Sequence, residues 1–205
     1  MTDEPQTPTA GLLEVRDDEP TRVRRAAFTR LLATAAPVPA AMLATEVGVT
    51  EGQVEAELSR LAATGAISRD DSGAVVAAGG LAVTPARHRL LLDGHGYWTW
   101  CAFDGIGIPA ALEFDAVLDT RCPTCGAGLR ITITAGNPPA GSPVVGWLPG
   151  GPCTNVQADF CPEANLFCTE AHLATWRQAA GDPPGTAATL YALAETGRQV
   201  WADLT

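Results

Sequence analysis

The sequence predicts an α+β protein, with an N-terminal winged helix-turn-helix-like domain followed by a small mixed sheet with helices. Three observations carry that prediction. Three helical patterns follow one another before residue 65, a hairpin pattern comes directly after them, and from residue 81 the chain switches to short alternating strands between Gly/Pro-rich loops. The chain of 205 residues is long enough for a main domain with a smaller appendage, and for a core that needs no disulfide staples. The expected division is a flexible, solvated tail at 1–19, a winged-helix-like domain at 20–80 and a larger domain at 81–205.

Each element has its own warrant. In 21–37, Val23, Ala26, Ala27 and Leu31 recur at helical spacing and the pattern stops before Pro37. A second short helix fits 39–49. Thr50 caps a third, in which Val54, Leu58 and Leu61 share a face and Gly65 ends the run. Residues 67–83 read as a hairpin: a strand, the turn Asp70-Asp71-Ser72-Gly73, and a second strand. Beyond residue 81, 129–136 alternates clearly and 144–150 reads as another strand ending in a turn. Thr169 and Glu170 open a helix at 169–179. The last stretch, 186–204, places Leu190, Leu193, Val200 and Trp201 on an amphipathic helix with an expected break near Gly197.

Charge narrows the partners. All 13 basic residues are arginine, and 23 acids leave a net charge of −10, which opposes bulk nucleic acid and anionic membrane surfaces. A DNA-reading helix needs Arg, Asn or Gln towards bases and phosphates, whereas the third helix offers Glu51, Gln53, Glu55, Glu57 and Arg60. That argues against DNA as a partner and for a structural or oligomerising module. No apolar run approaches the roughly 20 residues that cross a bilayer. The acidic, Pro/Thr-rich N-terminus is unlike a signal peptide, so the expected location is cytoplasmic. Six cysteines in a reducing compartment then point to metal or thiol chemistry rather than to disulfides.

The cysteines fall into two sets. Cys101 precedes Asp104 by three residues, which puts thiol and carboxyl on one side of a helix or tight turn. Alternatively, Cys101 is simply buried in a core with Trp98, Trp100 and Phe103. Cys122-Pro-Thr-Cys125-Gly126 is half of a zinc knuckle, and Cys168 with His172 at a helix start supplies a second half. Structural zinc, unligated thiols and a copper or mercury relay are the three readings of that set. Cys153 reads as a solitary loop cysteine, His88 as a hydrogen-bonded structural histidine and His95 as an exposed turn residue.

Residues 79–112 resemble the signature region of the organomercurial (alkylmercury) lyase family. The elements are Gly80-Leu81, Thr84, His88-Arg89, Asp93-Gly94 and Trp100-Cys101-Ala102-Phe103-Asp104. The likeness continues through Cys122 and the strand at 129–135, and resumes at Phe160-Cys161 with Trp176 following; about residues 20–205 are covered. It implies cleavage of a carbon–mercury bond to hydrocarbon and Hg(II), with no organic cofactor. It also implies a small organomercurial substrate, with low-molecular-weight thiols or a mercuric reductase as acceptor of the Hg(II). By the same resemblance Cys101 is the first mercury ligand, Cys161 the second, and Asp104 the proton carrier and third contact. Thiolate is the soft donor that a thiophilic metal selects. Trp98 stands where the family usually has tyrosine, Pro162 follows Cys161, and Cys125, Cys153 and Cys168 are additional thiols. The rival readings are a cysteine-based zinc or copper protein without turnover, and an enzyme of the same fold recruited to another substrate.

Overall fold

The structure is a computed structural model that describes residues 19–204. The tail expected at 1–19 therefore lies outside the described residues, apart from Glu19, which opens the first helix. Three helices come first: α1 (Glu19–Thr34), α2 (Ala40–Val47) and α3 (Glu51–Ala63). Gly48, at φ +77°, ends α2 in the left-handed conformation that costs glycine nothing. Thr50 and Gln53 form a reciprocal cap on α3: the Thr50 hydroxyl accepts from the Gln53 N–H, and the Gln53 side chain accepts from the Thr50 N–H.

The hairpin follows as β1 (Ile67–Arg69) and β2 (Val75–Ala78), but the second strand does not run on to residue 83. Gly79 and Gly80, both at positive φ, fold it back into β3 (Leu81–Ala82), which pairs with β2. Next come β4 (His88–Leu92), β5 (His95–Thr99), α4 (Asp104–Leu112), β6 (Ala116–Arg121) and β7 (Gly128–Ile133). The β4–β5 turn is Asp93-Gly94 with both φ positive, as a two-residue hairpin loop requires. After them lie β8 (Val145–Pro149), one turn of π-helix (Val156–Phe160), β9 (Leu166–Phe167), α5 (Glu170–Ala179), β10 (Gly185–Thr189) and α6 (Leu190–Val200).

The strands form a seven-stranded sheet in the order β1-β2-β3-β5-β4-β6-β7 and a three-stranded sheet in the order β10-β8-β9. Every ladder among the described strands is antiparallel, so the architecture is α+β with two antiparallel sheets rather than one small mixed sheet. Many of the connections are short hairpins, which cannot join parallel neighbours. The larger sheet runs across residue 80 without interruption.

Two further expectations change at the C-terminus. Residues 186–189 belong to β10, and Thr189 caps α6 by accepting from the Ala192 N–H. Nor does α6 break at Gly197, which sits where α6 crosses α4. A Cβ there would lie 2.2 Å from Gly107 Cα, so the glycine allows two helices to touch. One apolar core runs from Val23 and Phe28 of α1 through Leu90, Ile106 and Leu118 to Leu193 and Trp201, each buried side chain contributing about 1.5–3 kcal/mol. A smaller cluster of Cys122, Val145, Trp147, Phe167 and Leu173 joins β8, β9 and α5 to the end of β6. Among the described residues, no helix is long and apolar enough to cross a membrane.

Candidate active site

The turn between β5 and α4 presents Cys101. The Thr99 hydroxyl donates to the Cys101 carbonyl (2.8 Å), and the Cys101 N–H donates to Asp104 Oδ2 (2.9 Å). The carboxyl thus faces back over its own helix start and towards the thiol. Trp100 N–H donates to the Gly80 carbonyl (3.1 Å), which holds the turn against the β2–β3 bend. Gly80 has no room for a side chain: a Cβ would lie 2.6 Å from Asp104 Cγ, at a φ of +90°.

Cys161 arrives from 60 positions further along. It ends the π-turn, where its N–H donates to the Val156 carbonyl (2.9 Å), and π-turns recur at functional sites. The Asp159 carboxylate accepts from the Thr154 and Asn155 N–H groups (2.8 Å each), bracing the entry. Two links then fix the turn in space. Ala102 N–H donates to the Ala164 carbonyl (3.1 Å), joining the segments of the two cysteines. From the other side, Val156 N–H donates to Thr64 O (3.1 Å) and the Gln157 amide donates to Gly65 O (2.8 Å). The N-terminal helices thereby hold the segment that delivers Cys161.

Cys101, Asp104 and Cys161 are all buried, and their sulfur and carboxylate atoms lie within 4.8 Å of one another. Burial pushes the Asp104 carboxyl up to about 7, partly opposed by the N–H of Cys101. Burial also pushes the Cys101 thiol well up, with the Cys161 thiol and the Asp104 charge adding to it. A cavity of about 70 Å³ opens beside Asp104, walled by Trp100, Phe103, Val156, Phe160, Trp201 and Leu204. The site therefore offers two thiols for a soft metal, a carboxyl able to carry a proton at neutral pH, and an apolar recess.

The second set is also assembled. Cys122, Cys125, Cys168 and His172 bring one ligand atom each to within 4.8 Å of one another, with Cys122 buried, Cys168 and His172 half-buried and Cys125 exposed. Burial would raise the Cys122 thiol, but the N–H groups of Cys168, Cys125 and Thr124 outweigh it and bring the thiol down to about 6. Cys168 is pushed the other way, to about 11, by burial and by its contacts with Cys125 and Cys122. His88 is buried beside Thr120, with Nδ1 2.7 Å from its hydroxyl; burial and then Arg87 push it down to about 4. It is neutral and structural, as its sequence setting indicates. His95 and Cys153 are exposed.

The sequence marks both cysteine sets, and Trp100 and Phe103 beside the first, but not the rest of the recess. Trp201 and Leu204 line the recess, although only an amphipathic face was legible for the last helix. Gly80 belongs to the motif, yet its reason, the space taken by Asp104, exists only in three dimensions.

Two buried thiols converging with a carboxyl are a donor set suited to a soft metal. The comparisons sharpen that reading. The family model described as "MerB: Alkylmercury lyase" matches residues 81–202. An alkylmercury lyase of Staphylococcus epidermidis is 27% identical over 150 residues, 72% of this chain and 68% of the relative. One of Streptomyces lividans is 29% identical over 144 residues, 68% of this chain and 65% of the relative. The chain thus spans about two thirds of the length of these relatives. Among solved structures, the mercury-bound form of MerB2 superposes with a TM-score of 0.85 at 22% identity, covering 95% of each chain, and so shares the fold. The chain belongs to the alkylmercury lyase family, enzymes that break a carbon–mercury bond.

Proposed function

We propose that this protein cleaves small organomercurials at Cys101, Cys161 and Asp104. The observation that carries the assignment is the convergence of these three groups within 4.8 Å in a buried, apolar setting. One thiol adds to the mercury of R–Hg–X and displaces X, which leaves with a proton as HX. The second thiol adds and passes its proton to the Asp104 carboxylate. Two thiolates then load electron density onto the metal, and the carbon takes the electron pair of its mercury bond together with the proton from Asp104. Hydrocarbon R–H leaves, and Hg(II) stays on the two sulfurs without change of oxidation state. Two external thiols, from a low-molecular-weight thiol or a mercuric reductase, exchange it off and return the protons. The recess beside Asp104 suits the organic group, because its walls are mainly aromatic and aliphatic, with Arg24 the one charged side chain besides Asp104 among the described residues.

The N-terminal helices and the β1–β2 hairpin, expected as a module over 20–80, are read as a winged-helix-like unit with a structural role whose hairpin is built into the sheet that continues beyond residue 80, and the protein as cytoplasmic. Their hold on the π-turn supports the structural role. The exposed face of α3 does not favour DNA: Glu57 pairs with Arg60 (2.6 Å) and Glu55 with Arg69 (2.8 Å). The test of the central assignment is incubation with phenylmercury or methylmercury and excess thiol. Release of one benzene or methane per organomercurial consumed is expected. Stoichiometric mercury capture with no hydrocarbon would overturn it in favour of a thiol-based metal binder.

A further inference from the structure

We infer that Cys122, Cys125, Cys168 and His172 bind one zinc ion as a closed, structural Cys3His site, distinct from the mercury-handling thiols. Cys122 and Cys125 lie on the turn between β6 and β7. That turn is a metal knuckle: Cys122 N–H donates to Ala127 O (2.9 Å), Gly126 N–H donates to Cys122 O (2.9 Å), and Gly126 takes φ +73°. Cys168 follows β9 directly, and His172 sits in the first turn of α5, whose cap is Thr169. The Thr124 hydroxyl donates to the His172 carbonyl (2.8 Å), so knuckle and helix are latched independently of any metal.

The spacing of the donor atoms fits one ion in particular. A tetrahedral zinc with Zn–S about 2.3 Å and Zn–N about 2.0 Å has edges of about 3.8 Å between sulfurs and about 3.5 Å between sulfur and nitrogen. Cys125 Sγ and Cys168 Sγ are 3.6 Å apart, and Cys122 Sγ and His172 Nδ1 are 3.7 Å apart. The two sulfurs are too far apart for a disulfide, whose S–S length is about 2.05 Å. Three sulfurs and an imidazole complete the coordination of zinc and leave no position for substrate, which is the donor set of a structural site. The site also has a structural task. Its knuckle belongs to the seven-stranded sheet and its other half to β9 and α5, so one ion joins the two sheets beside the small cluster of Trp147, Phe167 and Leu173.

The measurement is metal content of the full chain purified under reducing conditions, with cobalt(II) titration of the metal-stripped protein as a second readout. One zinc per chain is expected, and cobalt should give thiolate charge-transfer and tetrahedral ligand-field absorption at one equivalent. The Cys101→Ser/Cys161→Ser double variant should keep both, whereas Cys125→Ser/Cys168→Ser should lose both. Chelation should lower the melting temperature of the parent, because binding to a site present only in the fold stabilises the fold. Any of three results overturns the inference: no stoichiometric uptake of zinc or cobalt, a Cys125–Cys168 disulfide in the reduced protein, or uptake that depends on Cys101 and Cys161 instead. None of these touches the mercury assignment, which is read by hydrocarbon release.

Discussion

The two thiol clusters use the same side chain for opposite ends. Around Cys101, Asp104 and Cys161 the chain supplies burial, and burial holds protons on: the Cys101 thiol is pushed up and the Asp104 carboxyl sits at about 7. Around Cys122 the chain supplies N–H donors from Cys168, Cys125 and Thr124, and these bring the thiol down to about 6. A site that must collect a substrate's metal and then deliver a proton keeps its protons in stock. In the second cluster the shifts diverge, Cys122 down to about 6 and Cys168 up to about 11, so one thiol of the proposed zinc site has its anion favoured in advance. What separates Cys101 from Cys122, both buried, is therefore the set of backbone N–H groups aimed at the Cys122 sulfur, not the cysteine itself.

The largest effects should come from exchanging soft donors in the buried cluster. Cys101→Ser and Cys161→Ser each replace a thiolate with a hard hydroxyl, and hydrocarbon release should fall to background while the melting curve keeps its shape. A serine variant that turns over near the parent rate would show that the buried cluster is not where cleavage occurs. Asp104→Asn should come next. It keeps the shape and removes the titrating proton, so the mercury adduct should still form, while single-turnover hydrocarbon release slows by about 10²–10⁴-fold. Stability should move the other way. Asp104 titrates near 7 in the fold against an ordinary 3.8, so the fold favours its protonated form. Its stabilising contribution is complete below the ordinary value and is lost as pH rises through about 7, at about 1.4 kcal/mol per unit of difference. The Asn variant should therefore melt higher than the parent above pH 7 and lose that advantage towards pH 4; calorimetry across that range checks it.

Gly80→Ala tests how closely the carboxyl is placed. The new methyl would lie 2.6 Å from Asp104 Cγ, so the carboxyl must shift, and a displacement of about 1 Å costs about 10²-fold in rate. The expected signature is a fall in kcat at unchanged stoichiometry of mercury binding. Loss of mercury binding as well would mean that Gly80 shapes the whole turn rather than the position of one group.

The same contrast explains what could be read from sequence. Cys122-x2-Cys125 and Cys168-x3-His172 are local patterns, legible because a knuckle and a helix start each set their own geometry. Their pairing across 43 positions depends on the three-stranded sheet, which no spacing encodes. For Cys101, spacing favours a core cysteine over a reactive one; family resemblance singles out Cys101 and Cys161, and the Ala102–Ala164 hydrogen bond supplies the physical reason they meet. Gly197 shows the converse error. Low helix propensity reads as a break, but contact with Gly107 at the α4–α6 crossing outweighs propensity. The split of one expected strand at Gly79-Gly80 is the same lesson, since the bend makes room for Asp104.

A smaller effect on turnover is expected from the second cluster. Cys125→Ser should reduce metal retention and lower the melting temperature, while kcat measured well below that temperature stays near the parent value, because none of the reacting groups lies there. A collapse of kcat in a folded Cys125→Ser protein would merge the two clusters into one functional unit.

The smallest effect should come from Cys153, the thiol that belongs to neither cluster. It lies in the exposed loop before the π-turn, and burial, then the charges of Asp159 and Cys161, raise its thiol. At neutral pH it is mostly protonated, and protonated thiols are poor competitors for mercury beside an excess of small-molecule thiol. Cys153→Ser should accordingly leave kcat, zinc content and melting temperature unchanged when thiol is in excess. The informative condition is limiting external thiol, where a loop cysteine near Cys161 could take Hg(II) from the product complex. If the serine variant then releases Hg(II) more slowly than the parent, with hydrocarbon release unaltered, Cys153 takes part in product exchange, and the division into two clusters gains a third member. Identical release in parent and variant leaves Cys153 outside both clusters.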